Sequence, residues 1–236
     1  MKKALVAGAT GLIGHHLMEE LLHSGLYDEV RVLSRRESGF IDETIVKERV
    51  IDFDELHKHA DMFRGIDDVF VCLGTTMKKA KTRKRFMKVD FKYPLKIAEL
   101  AKEKHVKRFL IVSSIGSNRE ATFFYSRVKG KLEEALVSLQ LPSLHIFRPS
   151  LLVGKRKEFR LGEKTAEFAF KPLSIFLVGP YGKYKPIKAT HLAKAMFALA
   201  QEDSSGVHLY ESDRIQQLGR VLTQDHSRRR KYDSEV

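Results

Sequence analysis

Three glycines spaced three residues apart follow the first apolar run of the chain and precede an amphipathic segment. Lys3–Ala7 has the pattern of a strand and Leu12–His23 that of a helix, so Gly8, Gly11 and Gly14 lie at the turn between them. Glycines there allow a tight turn and let a diphosphate approach bare N–H groups, while the helix N-terminus adds partial positive charge. This stretch predicts a strand–turn–helix unit that binds a nucleotide.

Apolar runs and helix-period segments then alternate through the first 150 residues. This order is typical of an α/β fold with a doubly wound parallel sheet, the Rossmann type, which binds NAD(P). The further predicted strands are Glu29–Leu33, Ile45–Ile51, Asp68–Leu73, Arg108–Val112 and Leu144–Phe147, and the further predicted helices cover Asp54–Phe63, Lys84–Lys104 and Ala121–Leu139.

The alternation stops after Arg148 and Pro149. Glycine and proline recur through residues 151–188, which predicts a small irregular lid on the substrate side. We expect residues 1–150 to form the NAD(P)-binding domain, residues 151–223 to supply the lid and C-terminal elements of the same domain, and residues 224–236 to be a basic flexible tail. The C-terminal elements are a helix at Thr190–Gln201, a strand at Val207–Tyr210 and a helix at Ile215–Leu222.

The charge of the chain raises the question of a nucleic-acid partner. The formal net charge is +13, and the densest basic cluster runs from Lys78 to Lys88. No zinc-ligand spacing, RNA-binding strand motif or helix-turn-helix pattern accompanies it, and charge alone is weak evidence. We therefore expect a basic surface with a pocket for an anionic cofactor, and no nucleic-acid partner.

Cysteine content and hydropathy bear on the compartment. The one cysteine, Cys72, excludes an internal disulfide and fits the cytoplasm. No apolar run reaches the ~18 residues of a membrane span, and the chain starts directly on a strand, so we expect no signal peptide and no membrane partner. The histidines show no metal-ligand spacing, and no metal is expected. Cys72 lies in the most apolar strand and is interpreted as a small core residue.

The end of the second predicted strand bears on the choice of cofactor. An acid there would accept from the free 2′-hydroxyl of NAD, whereas arginine suits a 2′-phosphate. The chain has Ser34, Arg35 and Arg36 at this point and no acid, which favours NADP over NAD; the alternative is two solvated arginines. Asp52 and Phe53 could contact adenine, and the segment Leu73, Gly74, Thr75 and Thr76 would pass beside the cofactor.

A third constellation has the residue types needed for proton transfer. Ser113 and Ser114 end the fifth strand, and Tyr125 and Lys129 share a face of the next helix. A tyrosine with its ordinary pKa of ~10 is a poor base, and a nearby ammonium favours the phenolate. The Tyr-x-x-x-Lys spacing recurs at Tyr181 and Tyr184, so position after a strand, rather than spacing, selects Tyr125. The alternative is an ordinary tyrosine and a surface lysine.

Taken together, Gly8-x-x-Gly11-x-x-Gly14, Ser114, Tyr125-x-x-x-Lys129 and Arg148-Pro149 resemble the short-chain dehydrogenase/reductase superfamily. The segment from Leu73 to Thr76 and the stretch from Leu209 to Gly219 are similar to its atypical branch, that of the human Tat-interactive protein. The resemblance implies that Tyr125 is the proton donor and acceptor, that Lys129 holds the nicotinamide ribose, and that Ser114 orients a carbonyl. The predicted cofactor site comprises Gly8, Thr10, Gly11, Leu12, Ile13, Gly14, Ser34, Arg35, Arg36, Asp52, Phe53, Leu73, Gly74, Thr75, Thr76, Lys129 and Pro149.

The function expected from this resemblance is an NADP(H)-dependent oxidoreductase acting on a small carbonyl or alcohol. The alternative is a non-catalytic NADPH-binding module with a regulatory or interaction role. The long helices offer pairing faces for a homodimer. The superfamily's asparagine on the long helix has no clear counterpart; Asp90 lies nearest, and we interpret it as a solvated acid rather than an organiser of the site.

Overall fold

The structure, a computed structural model, describes residues 1–154 and 184–220. Its strands follow the apolar runs of the sequence, and its helices follow the amphipathic segments. The strands are β1 (Lys2–Ala7), β2 (Tyr27–Ser34), β3 (Val46–Val50), β4 (Asp68–Val71), β5 (Arg108–Val112), β6 (Ser143–Arg148), β7 (Leu152–Val153), β8 (Ile187–Lys188) and β9 (Gly206–Glu211). The helices are α1 (Leu12–His23), α2 (Met77–Ala80), α3 (Arg83–Met87), α4 (Tyr93–Glu103), α5 (Phe124–Ser138), α6 (Ala189–Leu199) and α7 (212–220), with a 3-10 segment at Phe53–Phe63 and a π-helical segment at Lys88–Lys92.

Seven strands form one parallel sheet in the order β3-β2-β1-β4-β5-β6-β9. The predicted Rossmann-type fold is therefore confirmed. The chain first moves outward from β1 to β3 and then returns to place β4 on the other side of β1. Ligands of such sheets bind in the crevice outside the carboxyl ends of the strands at this reversal. Ala7 marks that edge, because it pairs with Leu33 of β2 and Val71 of β4.

Apolar side chains cover both faces of the sheet. One buried cluster joins α1 and α6 to the sheet, including Leu17 and Met196. The other joins the 3-10 segment, α4 and α5, including Phe63 and Ile97. Strands buried on both faces explain why β1, β4 and β5 are nearly continuous apolar runs in the sequence.

One predicted helix is interrupted. The segment Lys84–Lys104 was expected to be a single helix, but it consists of α3, the π-helical segment and α4. The physical reason is Pro94 at the start of α4, which lacks the N–H that an α-helix would direct to the carbonyl of Asp90. The Tyr93 N–H instead bonds the Lys88 carbonyl in the wider π pattern. Boundaries of other elements also differ; for example, β4 ends at Val71 rather than Leu73, and α5 begins at Phe124 rather than Ala121.

The chain beyond β6 returns to the sheet through β9, which was predicted as a late strand. Before that, β7 and β8 form a short parallel pair, with Leu152 opposite Ile187. Most of the predicted lid, residues 155–183, and the predicted tail, residues 224–236, lie outside the described residues, so the proposed domain boundaries stay predictions. Helix α7 covers most of the helix predicted at Ile215–Leu222.

Candidate functional site

The turn between β1 and α1 presents unused backbone donors. Gly11 is the N-cap residue of α1 and has no side chain that could accept from the first amides of the helix. The first turn of the helix carries no acidic residue. The first bond onto the cap runs from the His15 N–H to the Gly11 carbonyl at 2.9 Å. The amides of the first helical residues therefore have no intrahelical acceptor. An anion at this point would meet bare N–H groups and the positive end of the helix dipole.

Packing explains two of the three glycines. Gly8 has φ of +99°, and a Cβ there would lie 2.7 Å from the carbonyl carbon of Cys72. A Cβ on Gly14 would lie 2.1 Å from the carbonyl oxygen of Gly8. The turn is therefore in close backbone contact both with the chain that leaves β4 and with the first turn of α1. Only glycine fits both positions without moving backbone.

A cavity of about 390 Å³ lies at the carboxyl ends of β1, β2 and β4. Its walls bring together nine of the residues predicted to bind the cofactor, and five neighbours that were not predicted to bind it also line the cavity: Leu33, Cys72, Lys79, Val89 and Tyr93. The predicted residues in its lining are Gly8, Thr10, Gly11, Ser34, Arg35, Arg36, Phe53, Leu73 and Gly74.

Other predicted cofactor residues lie around this cavity rather than on its wall. Ile13 is buried in the core, and the Asp52 carboxylate accepts from the Asp54 N–H at 2.9 Å to cap the 3-10 segment. The Thr76 hydroxyl accepts from the Lys79 N–H and caps α2. The carbonyl of Pro149 accepts from the Ile115 N–H at 3.0 Å. Leu12, Gly14 and Lys129 are likewise outside its lining, and Thr75 lines a neighbouring cavity.

An acid does approach the end of β2, although the sequence shows none there. Glu48 of β3 accepts from the Ser34 hydroxyl at 2.7 Å and from the amide and hydroxyl of Ser38, each at 3.1 Å. Three donors thus occupy this carboxylate, which ties the loop after β2 to β3. The side chains of Arg35 and Arg36 are exposed at the same edge.

The second half of the site, around Tyr125 and Lys129 of α5, contains a buried ion pair. Lys129 Nζ lies 2.9 Å from Asp90 Oδ1, and their side chains are 3% and 1% exposed. Burial by itself lowers the pKa of Lys129, but the Asp90 carboxylate and the neighbouring Tyr125 outweigh it and raise that pKa above its ordinary value. Lys129 is therefore a charged ammonium in the interior. The interpretation of Asp90 as a solvated acid is wrong, because the π-helical segment carries it inward between β4 and α5.

Asp90 also contacts the predicted cofactor segment. Its Oδ2 accepts from the Thr75 N–H at 2.9 Å, so one carboxylate joins the loop after β4 to α5. The sequence contains a signal for this arrangement, which is Pro94 four residues after Asp90. A proline at that spacing removes one helical hydrogen bond and permits a local π turn.

The two candidate serines have different environments. The Ser113 hydroxyl donates to Glu133, whose carboxylate also binds the guanidinium of Arg148, with Nε at 3.1 Å and 3.2 Å from its two oxygens. Among the described residues, the Ser114 hydroxyl is hydrogen-bonded only to the hydroxyl of Ser117, at 3.2 Å. The Ser113 hydroxyl is therefore bonded to a carboxylate, whereas the Ser114 hydroxyl meets only another hydroxyl. Glu133 and Ser117 were not singled out from the sequence.

Tyr125 lies in the first turn of α5, one helical turn before Lys129. Its ring contacts that of Phe86 from α3, with centroids 5.5 Å apart, and the residue is 38% exposed. The neighbouring Phe124 ring also packs on Phe86. Aromatic contacts thus fix the start of α5 against α3 while one side of Tyr125 remains accessible from solvent.

Comparison with known proteins identifies the family. The NAD(P)H-binding family model matches residues 8–141, more than half of the chain. Protein HTATIP2 of Rattus norvegicus is 35% identical over 222 residues, covering 93% of this chain and 90% of that protein. The chain belongs to the atypical short-chain dehydrogenases/reductases. The resemblance predicted from the motifs is thereby confirmed. Protein FMP52-1, mitochondrial, of Scheffersomyces stipitis is 34% identical to this family member over 234 residues, covering 93% of this chain and 99% of that protein.

Solved structures agree on the fold of this short-chain dehydrogenase/reductase. The Bordetella bronchiseptica enzyme WbmH in complex with NAD⁺ superposes with a TM-score of 0.69 at 18% identity, covering 96% of this chain and 82% of WbmH. The oxidoreductase ylbE from Lactococcus lactis gives 0.66 at 20% identity, covering 94% and 97%. Family and fold together support a nicotinamide cofactor in a fold of the oxidoreductase type.

Four observations bear on the expectations about membrane, compartment, cysteine and metal. No helix in the described part of the chain is long and apolar enough to cross a membrane. The cytoplasmic location stays a prediction, because the yeast relative is named as mitochondrial. Burial raises the pKa of the Cys72 thiol to about 12, so this cysteine is not a nucleophile at neutral pH. Residues 1–154 and 184–220 contain no group of ligands able to hold a metal.

Proposed function

We propose that the protein is an NADP(H)-dependent oxidoreductase that interconverts a small carbonyl and its alcohol. When bound, the nicotinamide supplies the hydride chemistry. The observation that carries the proposal is the buried Lys129 ammonium, which Asp90 keeps charged one helical turn after Tyr125. A buried charge next to a solvent-accessible tyrosine is the arrangement that proton transfer at a substrate oxygen needs.

The proton step is assigned to Tyr125. A fixed ammonium stabilises negative charge on a neighbouring phenolate, so Lys129 favours donation of the Tyr125 proton to a substrate oxygen and its later return. Ser114 is assigned to orient that oxygen by a hydrogen bond, because Ser113 is already committed to Glu133. The uncapped start of α1 supports diphosphate binding on the other side of the crevice.

The proton assignment is tested by replacing Tyr125 with phenylalanine. Tyr125→Phe keeps the ring that packs on Phe86 and removes only the hydroxyl. Loss of a general acid lowers turnover by roughly 10²- to 10⁴-fold, while NADPH binding should stay within about twofold. Turnover is measured by NADPH absorbance over a panel of carbonyl substrates, and binding by NADPH fluorescence.

The matched control is Tyr210→Phe, which removes a tyrosine hydroxyl from β9 and should leave turnover unchanged. Its hydroxyl lies 3.1 Å from His145 Nδ1, outside both halves of the site. Undiminished turnover in Tyr125→Phe would contradict the assignment of the proton step.

The preference for NADP rests on Arg35 and Arg36, which are exposed on the wall of the crevice. At the same edge, the Glu48 carboxylate accepts from the Ser34 hydroxyl and from the amide and hydroxyl of Ser38. The double variant Arg35→Ala with Arg36→Ala should bind NADPH about 10- to 100-fold more weakly and NADH within about twofold of the parent.

Fluorescence titration of both nucleotides measures this difference. Arg64→Ala, which removes an exposed arginine outside the crevice, is the control and should change neither affinity. Equal losses for NADPH and NADH in the double variant would show that the arginines do not read the 2′-phosphate.

A second candidate is an NADPH-binding module without turnover. Only residues 115–123 connect Ser114 to α5, which leaves little wall for a substrate beside Tyr125. This candidate predicts NADPH binding with no oxidation across the same carbonyl panel. The parent protein's turnover in that panel therefore discriminates between the two.

A further inference from the structure

A second cavity, of about 480 Å³, adjoins the cofactor crevice. The two share four lining residues: Arg35, Lys79, Val89 and Tyr93. The volume falls within the roughly 300–1,000 Å³ of small-molecule sites. The remaining lining residues, Asp54, Thr75, Ala80, Lys84, Arg85 and Lys88, come from the 3-10 segment, the loop after β4, and the stretch from α2 to the π-helical segment. We call this cavity the basic cleft.

The lining of the basic cleft holds five cations and one carboxylate. The carboxylate, Asp54, already accepts from Lys88 Nζ at 2.6 Å and from the Tyr93 hydroxyl at 3.0 Å. These contacts lower the pKa of Asp54, so it stays ionised and is matched by Lys88. Within the described residues, the side chains of Arg35, Lys84 and Arg85 make no ion pair. An excess of positive charge therefore faces the cleft.

Local structure fixes the backbone of α3, which carries Lys84 and Arg85. The Thr82 hydroxyl accepts from the Arg85 N–H at 3.2 Å and caps α3. Phe86 of α3 is fully buried, and the Arg83 guanidinium lies 5.1 Å from the centre of the Phe124 ring. Like charges held together raise the free energy of the folded state unless an anion offsets their repulsion. No described protein group supplies that anion for Lys84 and Arg85.

We propose that the basic cleft is a second anion site, which binds a small molecule carrying two or more phosphate groups while the crevice holds the dinucleotide. Lys84 and Arg85 line the cleft and do not line the crevice, so they are available to this second ligand. Arg35 lines both, and it couples the two sites, since an anion in one changes the field in the other. The phosphate groups belong either to a free polyphosphate or nucleotide, or to a phosphorylated lipid headgroup.

The experiment is calorimetric titration of inorganic tripolyphosphate into the full chain at 0.15 M salt, both free and saturated with NADPH. We expect one site in the NADPH-saturated protein, because the dinucleotide then fills the crevice, whereas in the free protein the start of α1 can also bind the anion. Lys84→Ala with Arg85→Ala should weaken tripolyphosphate binding by at least about tenfold and leave NADPH affinity within about twofold. Lys102→Ala with Lys131→Ala is the control, because it removes the same charge from exposed positions outside the cleft and should have no effect.

The source of the phosphate groups is resolved by two further arms. Both arms use the NADPH-saturated protein. If the ligand is a lipid headgroup, vesicles of phosphatidylcholine with 5% phosphatidylinositol bisphosphate should bind the parent and not the Lys84/Arg85 variant. If the ligand is a free nucleotide, ATP should bind the parent and not the variant. Either result supports the proposal, and binding of neither tripolyphosphate, ATP nor vesicles overturns it.

Three other results overturn the proposal. Complete competition between tripolyphosphate and NADPH would make the cleft part of the cofactor site. Equal losses of tripolyphosphate affinity in both double variants would mean that binding depends on the net charge of the protein rather than on Lys84 and Arg85. A 20-nucleotide DNA strand that binds more tightly than tripolyphosphate, and loses affinity steeply with salt, would mean a polyelectrolyte surface instead of a small-molecule site. Because the free protein is titrated as well, these outcomes do not depend on whether the proposed oxidoreductase activity is found.

Discussion

At the residue scale, Asp90 and Lys129 place opposite charges 2.9 Å apart where almost none of either side chain is exposed. Removing an ion from water costs several kcal/mol, and only a close partner and further hydrogen bonds offset that cost. The Thr75 amide provides one such bond to the carboxylate. Each member of the pair therefore depends on the other, and a change at Asp90 acts on Lys129.

Replacing the carboxylate by its amide tests this dependence. Asp90→Asn keeps the shape and an acceptor for the Thr75 N–H but leaves the Lys129 ammonium without a counter-ion. The free energy of unfolding should fall by about 3–5 kcal/mol, the range for breaking a buried pair. The pKa of Lys129 should also fall, because burial lowers it and Asp90 is the main group that raises it. Urea unfolding at pH 7, followed by circular dichroism, measures the change in stability.

Asp54→Asn is the comparison, since it removes a carboxylate that pairs with Lys88 at the surface. Solvent screens that pair, and its loss should change stability little. A urea midpoint for Asp90→Asn equal to that of the parent would show that the buried pair does not carry the stability assigned to it.

At the element scale, the loop after β5 is pressed directly on α5. A Cβ on Gly130 would lie 2.2 Å from the carbonyl carbon of Asn118 and 2.3 Å from the amide nitrogen of Arg119. Glycine at this position lets the helix and the loop touch backbone to backbone. The same loop contains Ser114, so this contact positions the serine relative to Tyr125 and Lys129.

Gly130→Ala should therefore destabilise the protein, against the usual effect of this change in a helix. Alanine is favoured over glycine by about 1 kcal/mol in a helix interior, but here its methyl group meets backbone that must move. A loss of about 1–3 kcal/mol is expected, together with slower turnover because Ser114 shifts. Thermal unfolding and the carbonyl assay measure the two effects. Lys131→Ala, one residue along and exposed, should leave both near the parent values, and a Gly130→Ala melting temperature at or above the parent's would refute the close contact.

The π-helical segment shows where prediction of an element fails. Helical periodicity runs through the interruption, so a single helix from Lys84 to Lys104 was the natural expectation. Periodicity does not register the loss of one hydrogen bond, whereas Pro94 causes it. The extra residue in the π turn changes which side chains face inward. Asp90 lies at that point, which is why its burial was missed.

At the scale of the whole molecule, the fold followed from patterns that each element carries in its own residues. Buried parallel strands such as β4 and β5 are continuous apolar runs, and the glycines between β1 and α1 mark the crevice. Such local signals specify the order of strands and helices, and general rules of connection then give the parallel sheet. The pairing of β9 with β6 was not specified in this way, since it joins segments about 60 residues apart.

The site was predicted less completely than the fold, because its contacts join residues distant in the sequence. The glycines and arginines of the crevice were found, since each has a recognisable place at a strand end. Glu48 was not, because its approach to Ser34 depends on the register of β3 against β2. The link from Thr75 through Asp90 to Lys129 requires β4, the π turn and α5 together, and no single segment indicates it.

The short pairing of β7 with β8 bears on how many residues can lie between these two strands. Leu152 pairs with Ile187, so the chain at residue 187 lies beside the chain at residue 152. For a flexible segment whose two ends are held together, the entropic cost of closing the loop rises only slowly with its length. A change in the number of residues between β7 and β8 therefore costs little free energy as long as Leu152 and Ile187 stay paired.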